Sequence, residues 1–139
     1  MNYTAKEIAQ ITNSEIIGKG EIKIKNLAFD SRTIYSTKNT AFLAISTKKN
    51  SGQKYIDTVI EKGIDTIITE NKIDNSSINQ IITENSVEFL QTLAKYHFEH
   101  SHINSIGITG SNGKTILKEW LYQCLSNEFV TVKSPKSFN

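Results

Sequence analysis

Thr4 and Glu7 have the Thr-x-x-Glu spacing of a capping box just ahead of Ile8 and Ile11, which predicts a short opening helix. Glu15–Ile17 and residues 22–27 predict strands on either side of the turn Gly18-Lys19-Gly20; the second alternates through Ile22 and Ile24, then slips before Leu27. The apolar run at 40–45 is denser and reads as a buried strand. Ile56, Val59 and Ile60 share a helical face, Gly63 supplies a left-handed helix end, and Thr66–Thr69 returns as a strand. After a polar, turn-prone stretch at 71–79 comes a short strand at 80–83. Asn85 and Glu88 then repeat the capping spacing, before a helix with Phe89, Leu90, Leu93, Ala94 and His97 on one side that reaches about His100.

The pattern restarts after residue 104. A strand is expected at 105–109, a tight loop at 110–113, a helix at 114–126 and a further strand at 129–133. Leu117, Trp120, Leu121, Cys124 and Leu125 fall on one face of that helix, the spacing of a helix packed on a sheet. The expected organisation is therefore an α/β domain over 1–102, followed over 103–139 by the opening elements of a second α/β domain. No internal repeat is visible.

Composition narrows the classes. A chain of 139 residues is long enough to bury a real core without disulfides, and its single cysteine, Cys124, fits a core position in a reducing compartment. The first ten residues lack the apolar region of a signal peptide, and no run approaches the roughly 18 apolar residues of a membrane span, so a soluble, cytoplasmic protein is expected. A net charge of +2 with dispersed lysines gives no basic stripe for nucleic acid. His97, His100 and His102 lie close in sequence, but neither cysteine nor a carboxylate cluster completes a zinc pattern, and an exposed helix end is the simpler account. Trp120 and Tyr122 fit core and surface positions better than a base-stacking platform.

The strongest chemical signal is Gly110-Ser111-Asn112-Gly113-Lys114-Thr115, set between an apolar segment and an amphipathic helix. Glycines let successive backbone N–H groups turn toward an anion, and a helix N-terminus adds unpaired donors and the positive end of its dipole. Lys114 is spaced to reach β- and γ-phosphate oxygens, and the Thr115 hydroxyl to ligate a bridging Mg²⁺. The strict phosphate-loop pattern G-x-x-x-x-G-K-[ST] is not met: Ile108 stands where the first glycine belongs, with Gly107 and Gly110 on either side. The bland alternative is an ordinary strand-to-helix turn with an exposed lysine.

The string from Ile106 to Thr115 resembles the ATP loop of the Mur ligases, whose form Thr-Gly-x-x-Gly-Lys-[Ser/Thr] accounts for the displaced glycine. Asp30-Ser31-Arg32, then Phe42-Leu43-Ala44-Ile45, then Gly52-x-x-Tyr55-Ile56 resemble the substrate-domain pattern of that family in order and spacing. Lys118-Glu119 and the ending Ser-Pro-Lys-Ser-Phe-Asn look most like the member that adds D-alanyl-D-alanine to UDP-N-acetylmuramoyl-tripeptide, in the form fused to an alanine racemase.

The resemblance implies an α/β fold made of a UDP-sugar substrate domain followed by the first strand, loop, helix and strand of a central ATPase domain. It implies ATP and Mg²⁺ as cofactors, with Thr109, Gly110, Ser111, Asn112, Gly113, Lys114 and Thr115 at ATP and Thr115 at the metal. Ser31, Arg32, Lys48, Lys49 and Asn50 are implied near the uridine diphosphate. The implied chemistry is phosphorylation of a carboxylate by ATP and attack on it by the amine of D-alanyl-D-alanine. No catalytic set is complete within these residues, so the chain alone is expected to be inactive. Relatives carry Gly-x-x-x-Asp-Gly-His or a close variant where this chain has Thr47, Ser51, Gly52 and Gln53, and Gln53 can donate a hydrogen bond but carries no charge. Read without the family, Asp30-Ser31-Arg32 is an Asx-type turn closing a strand. A non-catalytic nucleotide- or UDP-sugar-binding module, or a Mur-type ligase of other specificity, stays open as an alternative.

Overall fold

The computed structural model describes residues 1–47 and 51–135. The chain divides into two compact units, Met1–His102 and Ile103–Asn139.

In the first unit, strand β1 (Tyr3–Thr4) leads directly into helix α1 (Ala5–Ile11). Thr4 caps that helix: its hydroxyl accepts the Glu7 N–H, while the Glu7 carboxylate accepts the Thr4 N–H at 2.7 Å, so two otherwise orphaned donors are satisfied reciprocally. Strand β2 (Glu15–Ile17) follows. The run at 22–27 does not form one strand. It splits into β3 (Lys23–Ile24), which pairs with β1, and β4 (Asn26–Ala28), which pairs with the next strand of another sheet. The slip in its alternation is the residue at which the chain changes sheets, since a one-residue shift sends the side chains to the opposite face.

The main sheet has five strands in the order β2, β7, β6, β5, β4. Here β5 is Thr40–Leu43, β6 is Thr66–Thr69 and β7 is Asn79–Ile82. Strands β4 to β7 are mutually parallel, and β2 runs antiparallel at the edge beside β7. Between them, helix α2 (Ile56–Glu61) precedes β6, and α3 (Ser86–Glu99) follows β7, capped by Asn85, whose side chain accepts the N–H groups of Val87 and Glu88.

Successive residues of β5 serve opposite faces of the sheet. Ala41 and Leu43 join Ile8, Ala9, Ile68, Ile81, Phe89 and Leu93 under α1 and α3, while Phe42 and Ala44 join Ile56, Val59, Ile64 and Ile67 around α2. Burial on both faces explains why β5 reads as a dense apolar run. Gln80, on β7, is 2% exposed and escapes the cost of burial by bonding the backbone of Ile73 through both its oxygen and its nitrogen at 2.8 Å, which pins the polar 71–77 stretch.

The second unit contains helix α4 (Lys114–Leu125). The expected strands at 105–109 and 129–133 are absent among the described residues. A strand is a ladder of hydrogen bonds to a neighbour, and no described segment pairs with either stretch. The apolar face expected to pack on a sheet is correspondingly open: Trp120 is 63% exposed, Leu117 is exposed, and Cys124 is exposed where a core position was expected.

Candidate functional site

In the second unit the chain reaches α4 through two glycines with positive φ, Gly110 at 149° and Gly113 at 77°. Gly113 is the N-cap in the left-handed region, where a side chain would be strained. Because glycine offers no capping side chain, the cap leaves the first helical turn's donors uncovered from its own position, and no carboxylate lies in that turn to repel an anion. A Cβ placed at Gly107 or Gly113 would meet nothing within 4 Å, so both sit against open space. Lys114 folds its ammonium back across the loop to the Gly110 carbonyl at 2.8 Å. Thr109, Ser111, Asn112 and Thr115 flank these positions in the same short segment. The arrangement sets a glycine-rich run of exposed backbone and a lysine beside a helix N-terminus, the elements from which an anion site can be built.

Downstream on α4, Lys118 donates to the Ser134 carbonyl at 3.0 Å, and Glu119 pairs with Lys133, whose ammonium lies 4.4 Å from the centre of the Tyr122 ring. The hydrogen bond from Lys133 holds the Glu119 carboxyl below its ordinary value. These contacts hold the stretch after the helix against α4 without any strand pairing. Residues 136–139 of the Ser-Pro-Lys-Ser-Phe-Asn ending lie outside the described residues.

In the first unit, four parallel strands put all their carboxyl ends on one edge of the sheet, the edge at which open α/β sheets bind ligands. Ser31 follows β4, Ser46 follows β5, Glu70 follows β6 and Ser86 opens α3 after β7. Asp30-Ser31-Arg32 forms the Asx-type turn: the Arg32 N–H donates to Asp30 Oδ1 at 2.9 Å, and the guanidinium makes a bidentate pair with the same carboxylate at 3.0 and 2.8 Å. The Arg32 hydrogen bonds pull the Asp30 carboxyl down to about 2. Ser31 is buried and its carbonyl takes the Lys62 ammonium at 2.6 Å, while the Arg32 side chain stays in solvent. Lys48, Lys49 and Asn50 lie outside the described residues.

The stretch before and after those three is tightly built. Ser46 and Ser51 form an isolated antiparallel bridge, and the Gly52 N–H donates to the Ile45 carbonyl at 2.8 Å. A Cβ on Gly52 would come within 2.7 Å of Ile45 N, so only glycine fits. Ser51 caps the following helical turn, Gly52–Tyr55, by accepting the Gln53 N–H.

Sequence reasoning passed over Glu70 and Ser86. The Ser86 N–H and hydroxyl both donate to Glu70 Oε1, at 2.8 and 2.7 Å, and the Ser46 N–H donates to the Ser86 hydroxyl at 2.9 Å. Burial raises the Glu70 carboxyl, but hydrogen bonds from Ser86 and the Ser46 hydroxyl outweigh it and leave it below the ordinary value. A glutamate just past an apolar strand and a serine just past Asn85 carry no motif, so only the fold brings them together. Two of the histidines have aromatic partners: His97 Nδ1 lies 3.1 Å from the Tyr3 hydroxyl, and His100 stacks on Tyr96 at 4.0 Å.

No family model matches the chain. It is 31% identical to a UDP-N-acetylmuramoyl-tripeptide--D-alanyl-D-alanine ligase of Rickettsia prowazekii, over all of this chain and 30% of that protein. It is 33% identical to a UDP-N-acetylmuramoyl-L-alanyl-D-glutamate--2,6-diaminopimelate ligase of Alkaliphilus oremlandii, over 81% of this chain and 23% of that protein. Among solved structures, a D-alanyl-D-alanyl-adding ligase of Acinetobacter baumannii superposes with a TM-score of 0.81 at 28% identity, over 92% of this chain and 29% of the other. A MurF ligase of Thermotoga maritima in complex with ADP gives 0.67 at 29% identity, over 83% and 26%. The α/β fold is thus the fold of these ligases over the part matched, and the chain spans between about a quarter and a third of their length.

Proposed function

We propose that this chain is the N-terminal portion of an ATP-dependent Mur ligase of the kind that adds D-alanyl-D-alanine to UDP-N-acetylmuramoyl-tripeptide. The observation that carries the proposal is the loop 109–115, which meets α4 through a left-handed glycine N-cap with Lys114 folded across it. Similarity to named ligases and to a ligase structure with ADP supports the same reading.

Under this proposal, Met1–His102 is the UDP-sugar domain and Ile103–Asn139 opens the ATP-binding domain. Thr109, Gly110, Ser111, Asn112, Gly113 and Lys114 hold the phosphates, and the Thr115 hydroxyl holds Mg²⁺. ATP supplies the phosphoryl group that activates the substrate carboxylate. The residues of this chain contribute binding and orientation: backbone donors neutralise phosphate charge, and Lys114 leaves the Gly110 carbonyl for a phosphate oxygen. Ser31, Arg32, Lys48, Lys49 and Asn50 lie at the diphosphate of the UDP-sugar. The chain alone is inactive because the remaining acidic metal ligands and the amine site belong to other parts of a longer protein. A cytoplasmic location goes with the ligase function; among the described residues no helix is long and apolar enough to cross a membrane. A fused alanine racemase remains part of the proposal on the sequence resemblance alone.

Titrating the chain with Mg-ATP, with and without Lys114→Ala, tests the loop. Weak binding by the parent and none by the variant is expected; equal affinity in two folded proteins refutes the assignment. The 33% identity to a diaminopimelate-adding ligase favours a second specificity. Phosphate release by the extended reading frame, with the tripeptide and D-alanyl-D-alanine or with the dipeptide precursor and diaminopimelate, decides between them. Binding of both nucleotides without turnover of either pair identifies a non-catalytic module instead.

A further inference from the structure

We propose that Asn112 is a site of spontaneous deamidation and that its product closes the loop to nucleotide phosphates; the consequence rests on the ATP assignment of the loop, whereas the reaction does not. Asn112-Gly113 is the one Asn-Gly pair in the chain. In such a pair the backbone nitrogen of the second residue attacks the side-chain carboxamide carbon of the first. A C–N bond forms, the side-chain nitrogen leaves as ammonia, and a five-membered succinimide results. Water then opens the ring at either carbonyl, leaving aspartate or the isoaspartate whose main chain runs through the β-carbon. The attack needs a nitrogen that no side chain crowds and no hydrogen bond holds, and glycine in an open turn supplies one.

Among the described residues, neither the Asn112 carboxamide nor the Gly113 N–H has a hydrogen-bond partner, and both residues are exposed. A Cβ at Gly113 would meet nothing within 4 Å, so the space beside the attacking nitrogen is open. Asn85-Ser86 is the contrast within the same molecule. The Ser86 N–H, which would have to attack, is held by Glu70 Oε1 at 2.8 Å, and Asn85 Oδ1 takes the N–H groups of Val87 and Glu88 at 3.0 and 3.1 Å. Those bonds must break before that pair can close a ring. Asn104-Ser105 stands between the two cases, exposed but with a serine side chain beside the attacking nitrogen. At Asn112 the product puts a carboxylate in place of a neutral amide just before α4, where the helix dipole favours a negative group. There it is placed to bond the uncovered first-turn donors, and it meets an incoming phosphate with like charge. Isoaspartate also lengthens the backbone by one carbon and displaces the N–H groups beside it. Bound phosphates hold those same N–H groups, so nucleotide protects the residue that the reaction would spoil.

The test is peptide mapping by mass spectrometry, with isoaspartate detection, after the intact chain has stood for days at neutral and at mildly alkaline pH. Asn112 is expected to convert first, and faster at the higher pH because the attacking nitrogen must lose its proton; Asn104 follows, and Asn85 stays intact. Asn112→Gln, which would have to close a six-membered ring, should abolish the change at that position. Half-saturating Mg-ATP should slow the conversion about twofold, since only the empty loop reacts. Asn112→Asp should weaken Mg-ATP binding by about tenfold or more. An Asn112 that stays intact, or that converts no faster than Asn85, overturns the modification. Conversion that Mg-ATP does not slow, with parent-like Mg-ATP affinity in Asn112→Asp, overturns the consequence and the nucleotide reading of the loop while the modification stands. A parent that converts at Asn112 but does not bind Mg-ATP does the same.

Discussion

Replacing Gly52 by alanine should drive a methyl group into fixed backbone and destabilise the first unit strongly. The new Cβ would stand 2.7 Å from Ile45 N, 2.8 Å from the Ala44 carbonyl carbon and 2.9 Å from Ile45 O. All three are backbone atoms of the segment leaving the buried strand β5, so no flexible side chain can give way. Overpacking of this kind costs about 1–3 kcal/mol, and three contacts at once place it near the top of that range. Backing the chain away breaks the 2.8 Å bond from Gly52 N–H to Ile45 O, worth about another 1 kcal/mol. Alanine stiffens the unfolded chain and returns about 0.4–1 kcal/mol. The net loss is about 3 kcal/mol, or roughly 12–24 °C in melting temperature for a unit of about a hundred residues. Gly20→Ala is the control: its Cβ would meet Lys6 Cβ at 3.4 Å, an ordinary contact, and stability should change by less than about 0.5 kcal/mol. Thermal unfolding followed by far-ultraviolet circular dichroism compares the two. Melting of both variants within about 2 °C of the parent would show that the turn at Gly52 is not as close-packed as its geometry states.

Asn85→Ala removes the acceptor for two N–H groups at the start of α3 and should destabilise the first unit by about 1 kcal/mol, read in the same melting experiment; no change would mean that solvent caps the helix equally well. Asp30 has its folded value depressed to about 2, so the stability it contributes is present above its unfolded value near 3.8 and is lost as pH falls through about 2. Carboxyl carbon shifts should titrate accordingly, and Arg32→Ala should return Asp30 to the ordinary range; an unmoved titration would remove the ion pair from solution. Cys124 should react with a disulfide reagent in the native protein within minutes and Trp120 should be open to collisional quenching, whereas protection of either until unfolding would show that α4 has a covered face.

The elements of the first unit were legible where periodicity and capping agreed. Thr4 with Glu7, Asn85, the dense run of β5 and Gly63 marked their boundaries closely, because each rests on a local rule that the tertiary fold did not oppose. Residues 22–27 were misjudged as one strand: alternation does not say which sheet a strand joins, and the chain crosses from one to the other between Ile24 and Asn26. In the second unit the loop and helix were readable from glycines and apolar spacing. The flanking strands were not, since pairing is a property of two segments and the sequence shows one at a time. The same limit explains Cys124 and Trp120: an apolar face states what a helix can cover, and not that it is covered. The turn at Asp30 followed from the Asx rule, whereas the hydrogen bonds of Ser86 to Glu70 and Ser46 join residues that are sixteen and forty positions apart and leave no trace in either neighbourhood.

Strand β5 hands alternate residues to two separate cores. It therefore offers evolution no silent position: an inserted or deleted residue within it would exchange the two sets of side chains and empty both cores together. The carboxyl edge is under no such rule, because a segment there can change length or identity while the strands beneath keep their pairing. Divergence among descendants of this fold is thus channelled toward the loops at that edge. Ser51 and Gln53 lie in such a loop, where a lineage can change side chains without first surviving the loss of its scaffold.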